Sequence, residues 1–177
     1  CLPNHVTGKG MIKALKAKNI TVKLDDDDSR RSGWKFNEYE MKGVPVRIAV
    51  GPRDLENNQV EIARRDTLVK QTISFENLDQ YIEQLLEDIQ NNIFNKALQF
   101  REETTRKADT WEQFTQLLDQ GGFVAAHWDG TPETEDAIKE KTKATIRCIP
   151  LNNPLEEGKC ILTGKPSTQR VLFARAY

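Results

Sequence analysis

The sequence predicts an α/β domain with a mixed sheet flanked by helices, then a long connecting helix, then a small α+β domain. Three observations predict this order. Apolar and polar residues alternate over residues 44–50 and 60–65, as they do in strands. Apolar residues then recur every three or four positions over residues 77–106, which is the period of a helix. Short helical and strand patterns follow to the end. We therefore place the domains at residues 1–74, 75–108 and 109–177.

Composition limits the class of protein. The 177 residues, 37% hydrophobic and 30% charged, suffice for one large or two small domains. No apolar run approaches the roughly 20 residues of a membrane span, and the first ten residues lack the apolar stretch of a signal peptide. Three cysteines, odd in number and widely spaced, fit a reducing compartment. We expect a cytoplasmic protein.

The first domain begins with a predicted helix over residues 9–17 and a strand over 20–24. Residues 25–28 are four consecutive aspartates, and we expect a solvated loop because like charges repel. A helix is predicted over residues 34–41 and should end at Gly43. The strand over 44–50 places its valines and isoleucine on one face and Arg47 on the other. Gly51 and Pro52 then turn the chain, and residues 56–58 form a hairpin loop before the strand over 60–65.

The predicted long helix carries one apolar stripe, formed by Leu78, Ile82, Leu85, Ile89, Ile93, Ala97 and Phe100. Beyond it, Thr110 and Gln113 have the spacing of a capping box, and Gly121 with Gly122 should end the helix that this box begins. Thr131 followed by Pro132 predicts another helix, to residue 143. Strands are predicted over residues 123–128, 145–149, 159–162 and 171–175.

Charge is balanced rather than basic. A net charge of −1 argues against a broad electrostatic grip on nucleic acid. Between residues 30 and 70, however, nine basic residues are interleaved with six acidic ones. That mixture suits the recognition of hydrogen-bond donors and acceptors better than the coating of phosphates.

Several long strings resemble one family. They are GWKFNEYEMKGVPVRIAVGPRDLE, VEIARRDT, KALQFREETTRKADTWEQF, KATIRCIP and KPSTQRVLFARAY. Together they are similar to the C-terminal region of prolyl-tRNA synthetases of the archaeal and eukaryotic-like branch, from about residue 9 to residue 177. The resemblance implies an anticodon-binding domain followed by a C-terminal domain. It also implies that the first strand of the anticodon-binding domain is missing or replaced over residues 1–6.

The resemblance implies a function for the longer protein. Members of the family are class II aminoacyl-tRNA synthetases, which attach proline to its tRNA using ATP. By this resemblance the chain binds the tRNA anticodon and braces a catalytic domain, and the full-length protein forms a homodimer. ATP and Mg²⁺ would be bound by the catalytic domain, which this stretch lacks, so we expect the chain to be inactive alone.

The resemblance also implies which residues bind the anticodon. Proline anticodons carry two guanines, whose N–H groups suit a carboxylate and whose O6 and N7 suit an arginine. Matched to the family's motifs, the candidates are Glu40 with Arg47 and Arg53 with Asp54. Lys70, after the second strand, is a fifth candidate. The alternative is that both pairs are surface ion pairs worth ~0–1 kcal/mol each.

Nearby residues have plainer interpretations. Trp34 and Phe36 could stack on a base, since stacking needs only an exposed ring, but on an amphipathic helix they are expected in the core. Arg64, Arg65 and Asp66 are expected to be charges at a strand edge.

Relatives often hold zinc with four cysteines, and this chain departs from that pattern. The corresponding positions are Trp128, residues 131–133, Cys160 and Thr163. One thiol, with His127 nearby, cannot supply the four ligands of a structural zinc site. We therefore predict no zinc, a buried Cys148 and a hydrogen-bonded His127 on a strand.

Three further expectations remain. By resemblance, Tyr177 at the end of ARAY reaches towards the active site of the full-length enzyme; a surface anchor is the alternative. A different function is a stand-alone RNA-binding module derived from a synthetase. A third is a metal-dependent enzyme that binds Mg²⁺ at the aspartates of residues 25–28, although a solvated loop is favoured.

Overall fold

The structure is a computed structural model that describes residues 8–27 and 29–176. The chain divides into two compact units, Cys1–Lys96 and Ala97–Tyr177. Among the described residues, no helix is both long enough and apolar enough to span a membrane.

The first unit surrounds a three-stranded sheet. Its elements are α1 (Gly8–Ala17), α2 (Ser32–Met41), β1 (Val46–Ala49), α3 (Pro52–Glu56), β2 (Gln59–Arg64), β3 (Lys70–Ser74) and the start of α4 (Leu78–Thr104). The strands lie in the order β1-β2-β3, and both neighbouring pairs are antiparallel. Within the described residues the sheet is therefore antiparallel rather than mixed. The reason is that the connections are short, whereas a parallel pair needs a crossover of about a dozen residues or more.

Helix α2 ends as predicted at Gly43. The backbone N–H of Val44 donates to the carbonyl of Tyr39, and the N–H of Gly43 donates to the carbonyl of Glu40. These two bonds form a Schellman motif, which requires a left-handed residue after the helix. Gly43 has φ +78°, a conformation that costs glycine little. The motif fixes the direction in which the chain leaves α2 and enters β1.

The sheet of the first unit has one apolar and one polar face. Val46 and Ile48 of β1 pack with Val60 and Ile62 of β2 against α1 and α4. Directly paired strand residues point to the same face, so Arg47, which alternates with Val46 and Ile48, lies on the opposite face. The predicted separation of Arg47 from the apolar residues of its strand is confirmed.

Three local predictions for the first unit are wrong. Residues 20–24 do not form a strand: Ile20 and Val22 pack on the core, but no strand pairs with them among the described residues. The connection between β1 and β2 is not only a turn and loop, since it contains the short helix α3. Strand β3 was not predicted; its residues KQTIS alternate but carry a single strongly apolar side chain.

Helix α4 buries only the first half of its predicted stripe. Leu78, Ile82, Leu85 and Ile89 are buried in the core of the first unit. Beyond them Ile93 is 49% exposed and Phe94 59% exposed. The boundary between the two units falls inside the helix, after Lys96. The period of the apolar residues predicted the helix correctly, but it did not predict how far the core extends along it.

The second unit contains a four-stranded sheet and a two-stranded ribbon. After the end of α4 its elements are β4 (Thr105–Lys107), α5 (Trp111–Asp119), β5 (Phe123–His127), α6 (Pro132–Thr142), β6 (Ala144–Cys148), β7 (Gly158–Lys159), β8 (Pro166–Ser167) and β9 (Arg170–Arg175). The strand order is β4-β5-β9-β6, with β4 and β5 parallel and the other pairs antiparallel. Strands β7 and β8 pair separately. This is the α+β arrangement that the sequence predicts.

Two aromatic rings meet in the core of the second unit, which is otherwise aliphatic. Phe114 of α5 and Phe173 of β9 are fully buried and meet edge to face, with ring centroids 5.2 Å apart. Thr110 caps α5 as predicted, because its Oγ1 accepts a hydrogen bond from the N–H of Gln113 at 3.2 Å. The Gln113 side chain accepts from Asp109 instead of Thr110, so the capping box forms only in part. The predicted strand over 159–162 is much shorter, because a turn begins at residue 161.

Candidate nucleic-acid interface

Glu40 and Arg47, the first predicted pair, meet on the surface of the first unit. Glu40 lies in the last turn of α2, and Arg47 is the second residue of β1. The Arg47 Nη1 lies 3.3 Å from the Glu40 Oε1. Arg65, just after β2, donates from its Nε to the backbone carbonyl of Glu40 at 2.8 Å. The end of α2 is thus tied to the sheet beside Arg47.

The guanidinium of Arg47 is held more firmly than its carboxylate partner. Its Cζ lies 3.6 Å from the centroid of the Phe36 ring, which is a stacked cation–π arrangement. The Arg47 side chain is 15% exposed, whereas that of Glu40 is 47% exposed. The Nε of Arg47 is buried and has no acceptor among the described residues. Arg47 therefore presents an oriented guanidinium that meets its carboxylate partner through Nη1.

Lys70 joins this pair through the strand register. Arg47 of β1 is paired with Ala63 of β2, and Ala63 is paired with Lys70 of β3. The three side chains lie in one row on the polar face, with the two cations roughly 10 Å apart across the alanine. Lys70 is exposed, and its Nζ lies 4.0 Å from the Glu61 Oε1. The structure thus brings together three of the five predicted residues.

Arg53 and Asp54 lie in α3, beyond the other end of β1. Asp54 accepts a hydrogen bond from the N–H of Gly51 at 2.8 Å, so its carboxylate caps the helix in which it lies. Arg53 is exposed, and no contact of its side chain is recorded within residues 8–27 and 29–176. Arg47 and Gly51 are four positions apart, which is roughly 13 Å of extended chain. The predicted residues therefore form two clusters rather than one.

A shallow depression lies beside the Glu40–Arg47 pair. Its lining includes Phe36, Glu40, Arg47, Ala63 and Arg65. Carboxylate and guanidinium thus stand side by side at an opening large enough to expose both. A carboxylate accepts two hydrogen bonds, and a guanidinium donates two in parallel. The arrangement can bind a flat group that offers neighbouring donors and acceptors along one edge.

Sequence reasoning misjudged the aromatic residues of α2. Trp34 is not in the core: it is 46% exposed, and the Cζ of Arg30 lies 3.9 Å from its ring centroid. Phe36 packs against Arg47 rather than in the apolar cluster. Their spacing along the helix resembles that of core residues. The missed signal was that α2 carries as many charged as apolar side chains, so it cannot bury a full stripe.

Arg64 and Asp66 serve the fold. Two nitrogens of Arg64 donate to the carboxylate of Asp66, at 3.0 and 2.8 Å, and Asn92 of α4 donates to the same carboxylate at 2.6 Å. The bonds from Arg64 lower the pKa of Asp66 to about 2, against the opposing effect of burial. These side chains bind the loop after β2 to α4. Their hydrogen-bonding groups are occupied by these contacts.

The aspartates of residues 25–28 are not simply solvated. Asp25 lies 2.6 Å from the Lys35 Nζ and accepts from the Tyr39 hydroxyl at 2.8 Å. The bond from Lys35 is the main reason that the pKa of Asp25 falls to about 2. Asp28 lies outside the described residues. No three His, Cys, Asp or Glu side chains among the described residues are placed to hold a metal ion, so nothing here favours the metal-dependent enzyme.

The region where relatives hold zinc contains an oxygen network. One oxygen of the Asp129 carboxylate accepts from the N–H and hydroxyl of Thr131, and the other accepts from the hydroxyls of Thr134 and Thr163. Burial raises the pKa of Asp129, but these hydrogen bonds outweigh it and the net shift is downward. A carboxylate that accepts four hydrogen bonds, three of them from neutral hydroxyls, does not resemble a thiolate site. These residues do not fit zinc.

The other residues singled out there have mixed outcomes. Cys160 is buried, but Cys148 is exposed, so its predicted burial is wrong. Cys148 ends β6 next to a bulge, and its side chain is turned away from the core. His127 is a buried strand residue whose Nδ1 lies 3.1 Å from the Ser167 hydroxyl, which confirms a hydrogen-bonded histidine. Tyr177 lies outside the described residues.

Comparisons with known proteins identify the family of each unit. Residues 7–85 match the family described as Anticodon binding domain, and residues 111–177 match the family described as Prolyl-tRNA synthetase, C-terminal. The chain is 60% identical over 167 residues to Proline--tRNA ligase of Porphyromonas gingivalis, covering 94% of this chain and 34% of that protein.

Two further relatives carry the same name. The chain is 58% identical over 174 residues to Proline--tRNA ligase of Cytophaga hutchinsonii, covering 98% of this chain and 35% of that protein. It is 50% identical over 173 residues to Proline--tRNA ligase of Bacteroides fragilis, covering 96% of this chain and 35% of that protein. The chain thus spans about a third of the length of the curated relatives it matches.

Proposed function

The chain belongs to the prolyl-tRNA synthetase family, and from that premise we propose that it is the tRNA-recognition part of a proline–tRNA ligase. Its first unit binds the anticodon of proline tRNA. The longer protein attaches proline to that tRNA using ATP. The observation that carries this proposal is the Glu40–Arg47 pair, which stands side by side at a surface depression.

Guanine matches such a pair by its chemistry. Along one continuous edge it offers the N2 and N1 donors and then the O6 and N7 acceptors. A carboxylate can accept from the first two while a neighbouring guanidinium donates to the last two. Glu40 and Arg47 have this order of charges and already contact one another. Anticodon loops are single-stranded, so this edge is exposed in the free RNA.

When a guanine binds, Glu40 and Arg47 exchange their contact with one another for contacts with the base. No unpaired charge then has to be removed from water. Before binding, Glu40 and Arg47 share one contact of 3.3 Å, and half of the Glu40 side chain is solvated. Exposed pairs of this kind contribute about 0–1 kcal/mol. Their contact is therefore weak enough to open, while stacking on Phe36 keeps the guanidinium in orientation.

Arg53 and Asp54 are proposed to bind the second guanine. One oxygen of Asp54 holds the N–H of Gly51, which fixes the carboxylate in space. Its second oxygen remains for a base N–H, and exposed Arg53 is the adjacent cation. Lys70, in the row with Arg47, supplies a positive charge for the RNA backbone or a base.

Binding of the chain to proline tRNA tests this function. We expect Arg47→Ala to weaken binding by about 5- to 150-fold, since a bidentate base contact is worth roughly 1–3 kcal/mol. The matched control is Arg147→Ala, which removes one exposed arginine from β6 of the second unit. It should change affinity less than about threefold, because a single charge outside the first unit contributes little.

Two results would contradict the proposal. One is equal loss of affinity in the Arg47 and Arg147 variants, which would reveal a general effect of charge. The other is equal binding of proline tRNA and of a tRNA whose two anticodon guanines are replaced. In the full-length enzyme, Arg47→Ala should reduce tRNA charging while leaving proline activation by ATP unchanged.

Partners, compartment and cofactors are part of the same proposal. We propose contacts with a catalytic domain in the longer protein, a homodimer, and a cytoplasmic location. The exposed Ile93 and Phe94 of α4 support a further packing partner for the first unit. ATP and Mg²⁺ belong to the catalytic domain. We propose that this chain needs no zinc, supported by the hydrogen-bonded Asp129 network, and metal analysis of the purified chain tests that.

A further inference from the structure

Ala63 occupies an unusual place on the polar face of the first sheet. It lies in the central strand β2, directly between Arg47 of β1 and Lys70 of β3. The Ala63 side chain is half-buried and lines the depression that also exposes Glu40 and Arg47. It is the smallest side chain in a row whose other two members are long cations.

Propensity does not explain an alanine there. Strands favour β-branched and aromatic residues, and alanine is depleted in them. The core faces the other side of the sheet, where Val60 and Ile62 of the same strand are fully buried. A valine at position 63 would therefore suit the strand and would leave Val60 and Ile62 undisturbed, but it would approach Phe36 and Tyr39 of α2, which line the same depression. Strand propensity and the core of the first unit do not explain the small residue.

The surroundings of Ala63 indicate what its small size permits. The depression is bordered by the carboxylate of Glu40 and the guanidinium groups of Arg47 and Arg65. The Cζ of Arg47 lies 3.6 Å from the centroid of the Phe36 ring, and Arg65 is held by the carbonyl of Glu40. Polar groups thus border an apolar floor formed by the Ala63 methyl group, beside Val44 and Tyr39. A flat aromatic ring can lie on such a floor with its edge towards the polar groups.

We propose that Ala63 is a specificity-determining residue that sets the depth of the seat for one anticodon guanine. This inference rests on the proposed anticodon-binding function and adds a steric condition to it. The face of the base lies against the Ala63 methyl group while its edge meets Glu40 and Arg47. A larger side chain lifts the ring, and hydrogen bonds weaken steeply once donor and acceptor part beyond about 3.5 Å.

A size series at position 63 tests the inference in the 177-residue chain. Ala63→Ser keeps the volume nearly unchanged, whereas Ala63→Val and Ala63→Leu fill the depression. The probe is an RNA hairpin with the proline anticodon in its loop. The matched control is Thr72→Val, an exposed position on the same face of β3, one row away from Lys70.

The expected result is a graded loss of RNA affinity without loss of stability. Ala63→Ser and Thr72→Val should stay within about threefold of the parent chain, and Ala63→Val and Ala63→Leu should bind about tenfold or more weakly, which is the size of one base contact. The thermal midpoint of Ala63→Val should be unchanged or higher, because valine favours strands. A merely structural alanine would not combine weaker binding with undiminished stability.

A second RNA probe distinguishes a lost contact between the base and Ala63 from general damage to the protein. A hairpin that lacks the base at one anticodon guanine has nothing to place on Ala63, so the parent chain and Ala63→Val should bind it equally for one of the two positions. If Arg47→Ala weakens binding of the intact hairpin but Ala63→Val and Ala63→Leu do not, the inference is overturned and the proposed function stands. If none of the three weakens it, the proposed function fails as well. Equal losses on intact and abasic hairpins also overturn the inference.

Discussion

Two arginines, one in each unit, show how the same side chain can serve opposite purposes. In the second unit every nitrogen of Arg170 donates: to both oxygens of Glu156, to Asp109, and to the carbonyls of Ala108 and Ala125. Its side chain is only 10% exposed. Arg170 thereby fastens β9 to β4, β5 and the segment before β7.

Arg47 in the first unit, by contrast, is placed so that it can exchange its hydrogen-bond partner. It has one contact of 3.3 Å with Glu40, a supporting ring below it, and an Nε without an acceptor among the described residues. An arginine with all donors satisfied can only be lost at a cost to the fold. An arginine that is oriented but incompletely satisfied can take up another acceptor. The comparison predicts that mutations at the two positions affect different measurements.

The largest effect is expected at Arg170. Arg170→Ala removes the shared partner of two carboxylates and one donor from each of the carbonyls of Ala108 and Ala125, of which the second keeps the N–H of Ala108. Hydrogen bonds to charged groups contribute about 1.5–3 kcal/mol, and the side chains of Asp109 and Glu156 are themselves 70% and 37% exposed. The second unit should therefore unfold at a lower denaturant concentration. Denaturant unfolding of the chain measures this, with Arg147→Ala as the matched arginine. A loss below about 1 kcal/mol, typical of exposed pairs, would remove the distinction between the two arginines.

Acid should weaken the Arg170 site in a defined range of pH. The hydrogen bonds from Arg170 lower the pKa of Glu156 from 4.5 to about 2. A carboxyl group with a lowered folded-state pKa contributes stability that is complete above its unfolded pKa and is lost as pH falls through the folded one. The free energy of unfolding should therefore decrease between about pH 4.5 and about pH 2.

Glu156→Gln is the variant for that experiment, since it cannot titrate. Its free energy of unfolding should be lower than that of the parent chain at neutral pH and should change less on acidification. Asp66 and Asp25, whose pKa values also fall to about 2, remain in both chains and set the common background. Parallel pH profiles of parent and variant would contradict the assignment to Glu156.

The sequence predicts which helices and strands form better than it predicts what each of them packs against. Alternation and helical period correctly gave β1, β2 and α4, and the helix-start signals at Thr110 and Thr131 correctly gave α5 and α6, because each has a strong local signal. The strand expected over residues 20–24 failed because a strand also needs a partner, which local pattern does not encode. Helix α4 formed as predicted, but its period does not indicate that Ile93, which is 49% exposed, lies beyond the core. Strand β3 carries too few apolar residues to be recognised alone.

The sequence predicted the charged residues of the candidate site but not the residues that hold them in place. Glu40 and Arg47 stand out by charge and motif, yet they are seven positions apart, and the turn at Gly43 brings them together. Phe36 under Arg47 and Ala63 beside it depend on packing and strand register. The capping role of Asp54 had a local signal, three residues after Gly51 and next to Pro52, which sequence analysis interpreted only as a turn.

Asp54 sharpens the comparison because its one side chain both stabilises the fold and is proposed to bind a base. Asp54→Ala should lower stability by about 1 kcal/mol through the lost cap and should weaken RNA binding. Asp54→Asn keeps an oxygen for the N–H of Gly51 but loses the negative charge that favours guanine N–H groups. Its stability should stay near that of the parent, while affinity for the proline anticodon falls. If Asp54→Asn binds RNA normally, Asp54 serves the helix alone.

The smallest effect is expected at Lys70, which shares the row of Arg47 but has neither a ring beneath it nor a close partner. Its contact with Glu61 spans 4.0 Å between exposed side chains, and such pairs contribute about 0–1 kcal/mol to stability. Lys70→Met should leave unfolding unchanged and reduce the salt dependence of RNA binding by about one phosphate contact. A loss specific to the proline anticodon would instead place Lys70 on a base, and the distinction between an oriented arginine and an unsupported lysine would no longer hold. Binding isotherms over a series of salt concentrations, with Lys159→Met on β7 as the matched lysine, decide between the two.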